Sequence, residues 1–280
     1  MKLAAAELTQ EGQAMNGKLL LHEVTGQGEP IVLVPGGLSG WLSWIPFAER
    51  LSKSRKAIRV QLRSVELAEA GEHFPDDYGI VTEREALLAT VDELGLGSFD
   101  LVGWSHGGAV ALAFALEYPG RVRTLTLIEP EAPWILRETG HLEDALASNE
   151  AYDRSLLGRE ITAADLKDFL VRAGFGASGD DFESLPGWPV WSRNRQVLSA
   201  IGRIHDYTDS LERLRALDIP MLAVKGTDTT EQDAAVVDDL VANAPRARLL
   251  ELPGDHASHL QNMDLFLEEL DKHVAGRAGR

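Results

Sequence analysis

Residues 99–115, FDLVGWSHGGAVALAFA, set a serine between two glycines, after an apolar run and before a helical pattern. Gly103-Trp104-Ser105-His106-Gly107 has the form G-x-S-x-G, that of a serine held on a sharp strand-to-helix turn. Such a turn strains the backbone and leaves no room for side chains on either flank, which glycine tolerates because it lacks Cβ. A serine so placed is a candidate nucleophile, but its hydroxyl must first lose a proton to a positioned base. His256, in Leu252-Pro253-Gly254-Asp255-His256, is the candidate base, because an imidazole titrating near about pH 6.5 takes up and returns a proton at neutral pH. His259 is a weaker candidate for that role and is read as a rim or packing histidine. His22, His73, His141, His205 and His273 lie in no motif and are expected to be solvated or structural.

An acid must orient the imidazole and stabilise its cation. Glu129 closes the strand expected at 122–128, and at the end of a buried strand a lone carboxylate is costly without a partner. Asp228, in Gly226-Thr227-Asp228-Thr229, is the alternative, and Glu131 is a third candidate. The tetrahedral oxygen formed on attack needs two main-chain N–H groups. His106 N–H, at the start of the helix after the serine, is one, and the helix dipole there favours negative charge. The His106 side chain is expected to turn away from Ser105 into packing or a hydrogen bond. Leu38, Trp104, Trp134, Trp188 and Trp191 are candidates for a substrate-binding wall, since such pockets are lined by aliphatic and aromatic groups.

The elements that must position these residues alternate. Strands are expected at 17–24, 31–34, 57–62, 99–102, 122–128, 220–225 and 248–252, with 3–9 pairing antiparallel to 17–24. Helices are expected at 41–52, 77–94, 108–116, 231–243 and 260–274, and 63–75 reads as a polar loop. Between 131 and 214 no strand is convincing, and three or four helical pieces are broken at glycines and at Pro186-Gly187-Trp188-Pro189. Alternating strands and helices imply right-handed crossovers, a mostly parallel sheet and a site beyond the carboxyl ends of the strands. The domain expectation is a core of 1–130 and 215–280 with a helical insertion at 131–214.

The chain has 280 residues, enough for one large α/β domain, and a net charge of −17 from 27 basic and 44 acidic residues. That charge repels phosphate backbones and anionic lipid, so nucleic-acid and membrane-surface partners are not expected. There is no cysteine, which removes thiolate and disulfide chemistry. No stretch is long and apolar enough to span a membrane, and 1–11 lacks a signal-peptide core, so the expected location is the cytoplasm. The sequence leaves the oligomeric state open.

Taken together, the motifs resemble the α/β-hydrolase fold family over about 17–275. Val102-Gly103-Trp104-Ser105-His106-Gly107-Gly108 matches the elbow, and Leu252-Pro253-Gly254-Asp255-His256-Ala257-Ser258-His259-Leu260 matches the histidine segment, with Asp255 where that family usually has glycine. The resemblance implies a mostly parallel eight-stranded sheet, helices on both faces and a cap after the sixth strand. It places the second oxyanion donor at Gly37 in Pro35-Gly36-Gly37, with Leu38 as the fallback, although the family's usual histidine is absent there. The family's usual acid lies three residues past a glycine after the seventh strand, where this chain has Thr229; haloalkane dehalogenases and zearalenone-type lactonases take theirs from the end of the sixth strand, where Glu129 stands.

The expected activity is cofactor-independent hydrolysis of a small carboxylic ester or lactone, with Ser105 hydrogen-bonded to His256 and facing two main-chain amides. Carbon–carbon, amide and perhydrolytic chemistry use the same residues and stay open, as does a non-catalytic ligand receptor. A metal-dependent hydrolase built on Asp255, His256 and His259 is the least favoured reading, and no metal is expected.

Overall fold

The computed structural model describes residues 19–276. The expected strand at 3–9 lies outside them. The described chain runs β1 (His22–Thr25), β2 (Pro30–Val34), α1 (Ile45–Leu51), β3 (Lys56–Val60), α2 (Arg63–Ala70), α3 (Ile80–Glu93), β4 (Phe99–Trp104), α4 (His106–Glu117) and β5 (Val122–Ile128). Six helices follow: α5 (Trp134–Thr139), α6 (Glu143–Ser155), α7 (Ala163–Arg172), α8 (Trp188–Asn194), α9 (Ile201–Ile204) and α10 (Leu211–Arg215). The chain closes with β6 (Met221–Gly226), α11 (Glu231–Asn243), β7 (Ala247–Leu252), α12 (Ser258–Gln261) and α13 (Met263–Ala275).

The described sheet has seven strands, not eight, in the order β1-β3-β2-β4-β5-β6-β7. β1 pairs antiparallel with β3, and every other pairing is parallel. Strand side chains alternate between two cores, as the period of two requires. Val32 and Val34 join one core with α3, α4 and α11, while Ile31 and Leu33 join the other with α1 and α13. Buried on both faces, β2 reads as a continuous apolar run, whereas β4 and β5 are buried despite carrying Asp100 and Arg123, Thr124 and Thr126.

The 63–75 loop expectation is corrected, because residues 63–70 form α2. Charged residues mask its periodicity, yet Val65 and Ala68 are buried. The carboxylate of Glu83, 20 and 19 residues along the chain, accepts from Arg63 N–H and Ser64 N–H at 2.9 Å each and so caps the first turn. The expected 260–274 helix is two helices that break at Asn262.

The reversal of strand order between β2 and β4 puts their carboxyl ends side by side, where a crevice opens in parallel sheets. Between β4 and α4 the glycines are sterically required. A Cβ on Gly103 would sit 2.3 Å from Gly107 O, and one on Gly107 would sit 2.3 Å from Pro35 O. Both neighbours are backbone, so neither can swing away. Gly103→Ala is therefore expected to destabilise the fold by about 1–3 kcal/mol, the usual cost of overpacking, as a lower thermal midpoint.

Candidate active site

Ser105 sits at the turn with φ 54° and ψ −121°, a conformation rare for a residue bearing Cβ. Backbone hydrogen bonds hold it there: Ser105 N–H donates to Ile128 O at 2.9 Å, and Glu131 N–H donates to Ser105 O at 3.1 Å. Ser105 lines a cavity of about 130 Å³ together with Gly37, Leu38, His106, Glu129 and His256.

Glu129 is itself strained, at φ 38°, and is buried. Its Oε1 accepts from Gly226 N–H and its Oε2 from Thr229 Oγ1, both at 2.7 Å. Oε2 also accepts from His256 Nδ1–H at 2.6 Å. Thr229, at the position where an acid was sought by resemblance, thus holds Glu129 in place. Asp228 is exposed and has no side-chain hydrogen bond among the described residues; only its N–H is engaged, with Gly254 O at 2.8 Å. With Nδ1 donating, Nε2 is the basic nitrogen of His256. Trp104 Nε1–H donates to His256 O at 3.0 Å, which fixes the loop that carries the ring.

Burial alone would lower the His256 pKa. The hydrogen bond to Glu129 and the charges of Asp233, Glu129 and Glu131 outweigh it and hold the imidazole up at about 9. Asp233 has no signal in the sequence beyond an acidic first turn in α11, yet its Oδ2 lies 3.9 Å from His256 Nδ1. Burial pushes Asp233 up to about 6 against the pull of His256.

The expected Ser105–His256 hydrogen bond is not formed: both side chains line the cavity, but no hydrogen bond joins them. Contacts between nucleophile and base often tighten only when substrate lies between them. The N–H groups of Gly37 and His106 donate to no acceptor among the described residues. The His106 ring packs without a hydrogen bond on either nitrogen.

Leu38, Trp104 and Trp191 line the cavity, and Trp191 Nε1–H donates to Ser39 Oγ at 3.1 Å. Trp134 and Trp188 lie off its wall, a correction to expectation. Trp134 turns into the core with Ile135 and Leu136, and Trp188 lies beneath Lys167 Nζ, 5.5 Å from the ring centre. His259 is packed among Trp44, Phe47, Trp104 and Phe266, with ring centres 4.7–5.8 Å away. Burial, then His256, lowers its pKa to about 3.

His205, expected to be solvated or structural, is of the structural kind. It is buried in the cavity wall, with Nε2 3.3 Å from Glu131 Oε1 and 3.2 Å from Asp153 Oδ2. No motif marks it, since residues 131, 153 and 205 meet only through the fold. Burial would lower its pKa, but the two carboxylates raise it to about 10. A raised imidazole stabilises the fold fully below the unfolded value of about 6.5 and loses that contribution as pH climbs toward 10. In melts from pH 6 to 10, the midpoint gap between wild type and His205→Gln should be on the order of 5 °C or more at pH 6 and shrink steadily above.

Glu129, Asp233 and His256, and likewise Glu131, Asp153 and His205, hold ligand-type atoms within 4.8 Å of one another. In both groups the imidazole N–H already lies among the carboxylates. Asp255, His256 and His259 form no such group among the described residues. No described helix is long and apolar enough to cross a membrane.

Residues 31–269 match the model of the Alpha/beta hydrolase family. The chain is 33% identical over 171 residues to 2-hydroxy-6-oxo-2,4-heptadienoate hydrolase of Pseudomonas putida, covering 55% of this chain and 60% of that protein. It is 26% identical over 263 residues to a pimeloyl-[acyl-carrier protein] methyl ester esterase of Nitrosomonas europaea, covering 89% of this chain and 97% of the relative. In the first two curated relatives the match spans about 60% of their length. A thermophilic esterase from Thermogutta terrifontis shares the fold, with TM-score 0.72, 22% identity, and 94% and 96% of the two chains covered.

Proposed function

The chain belongs to the alpha/beta hydrolase family, and we propose that it is a cofactor-independent serine hydrolase of carboxylic esters or lactones. One observation carries this reading: a serine on a strained elbow shares a cavity with an imidazole whose far nitrogen is bonded to a buried glutamate. In this reading His256 Nε2 takes the Ser105 proton as Oγ attacks the carbonyl. The oxyanion is held by Gly37 and His106 N–H. Collapse expels the alkoxide, which takes the proton from His256, and leaves an acyl-enzyme. Water, deprotonated by His256, then releases the acid and restores Ser105. Glu129 stabilises the imidazolium at each step.

Residues 131–214 form, in this reading, a cap on the described part of the core expected at 1–130 and 215–280. Asn149, Phe169, Phe175 and Trp191 of that segment line the cavity above Ser105, which supports it. A second reading, cleavage of an oxo-dienoate, is favoured by the 33% identical relative whose name gives such a substrate. The same Ser105, His256 and Glu129 would serve it. Rates on a panel of small esters, lactones and dienols decide between them. Esters or lactones turned over with the higher kcat/KM uphold the first reading; turnover confined to dienols replaces it with the second.

A further inference from the structure

Besides the Ser105–His256 edge, the cavity wall holds a second polar group that the mechanism leaves unused. Glu131 is anchored beside the nucleophile, since its N–H donates to Ser105 O at 3.1 Å. Its Oε1 meets His205 Nε2 at 3.3 Å, while Oε2 has no partner among the described residues. The Glu131 side chain keeps 22% of its surface exposed in the cavity wall, whereas His205 keeps 3%. Asp153 Oδ2 shares the same Nε2 at 3.2 Å, Glu150 Oε1 lies 3.9 Å from Nδ1 on the other side of the ring, and Arg137 Nη2–H donates to His205 O at 3.1 Å. A buried imidazole held in this way fixes Glu131 through Oε1 and leaves Oε2 without a partner among the described residues, on a residue that lines the same cavity as Ser105.

A carboxylate oxygen accepts hydrogen bonds and donates none. Glu129, Glu131, Asp153 and Asp233 also give the wall four carboxylates, beside His106, His205, His256 and Arg172. An anionic substituent next to the scissile carbonyl would meet repulsion at Glu131, whereas a donor would meet an oriented acceptor. We propose that Glu131 is a specificity-determining residue that binds a hydrogen-bond donor, a hydroxyl or an ammonium, on the carbon one or two bonds from the scissile carbonyl. His205 and Asp153 are its positioning residues.

The inference rests on Ser105 being the attacking group, and two measurements separate the claims. The first compares kcat/KM for methyl 3-phenylpropanoate with its 2-hydroxy, 3-hydroxy and 2-amino derivatives. Intrinsic reactivity cancels when each derivative-to-parent ratio is compared between wild type and variant. Glu131→Leu should lower at least one ratio about tenfold or more. The isosteric Glu131→Gln separates the two donors: its amide oxygen keeps part of a preference for hydroxyl and loses a preference for ammonium. Equal ratios in wild type and Glu131→Leu would overturn the proposal.

The second measurement titrates the corresponding amides by calorimetry into Ser105→Ala and Ser105→Ala/Glu131→Leu, without turnover. Tighter binding of a hydroxy or amino amide that depends on Glu131 upholds the subsite even if no ester is cleaved; binding indifferent to Glu131 overturns it.

Discussion

Ser105→Ala should lower kcat on any ester or lactone substrate by about 10⁴-fold or more, the scale seen when a serine nucleophile is removed. The other hydroxyls among the described cavity-lining residues are engaged elsewhere, that of Tyr152 with Asp165 O at 3.4 Å. Ser39 Oγ accepts from Trp191, and Thr230 Oγ1 is bonded to Asp233 Oδ2 at 2.7 Å. The variant should fold as wild type does, because Ser105 Oγ contributes no hydrogen bond to the fold and the turn is held by main-chain atoms. A thermal midpoint within a few degrees of wild type, together with the lost rate, assigns the effect to chemistry. Retention of more than a few per cent of kcat would remove Ser105 from the mechanism.

Glu129→Gln should cost about 10³–10⁴-fold in kcat, since an amide facing Nδ1 favours the wrong imidazole tautomer and no longer stabilises its cation. Asp228→Asn, at an exposed side chain without a hydrogen bond, should cost no more than about twofold. The pH profile adds an independent check. The base acts only when neutral, so kcat/KM should fall as pH drops through the raised pKa of His256, about 9. Glu129 helps raise that value. Its removal should therefore move the acid limb to lower pH while the plateau collapses. A large loss in Asp228→Asn with a mild one in Glu129→Gln would transfer the acid to the strand that ends at Gly226.

Local constraints are legible in the sequence and distant ones are not. The glycines at 103 and 107 announce the tight turn because backbone lies 2.3 Å from where a side chain would begin. The apolar run 31–34 announces a strand covered on both faces, and the glutamate that follows the strand at 122–128 needs a partner, supplied by His256. The first turn of α2 escapes notice because its capping carboxylate, Glu83, comes from another helix. The Glu131–His205–Asp153 group escapes for the same reason, since three segments without a shared motif converge on one point. Trp134 and Trp188 mislead because aromatic residues serve core and pocket alike, and only packing distinguishes them.

The most direct test of the central claim is mass spectrometry of the protein after reaction with a fluorophosphonate. A single adduct on Ser105, formed by wild type and sharply slowed in His256→Ala, is the expected result. An adduct on another residue, or none on folded protein that hydrolyses an ester, would contradict it.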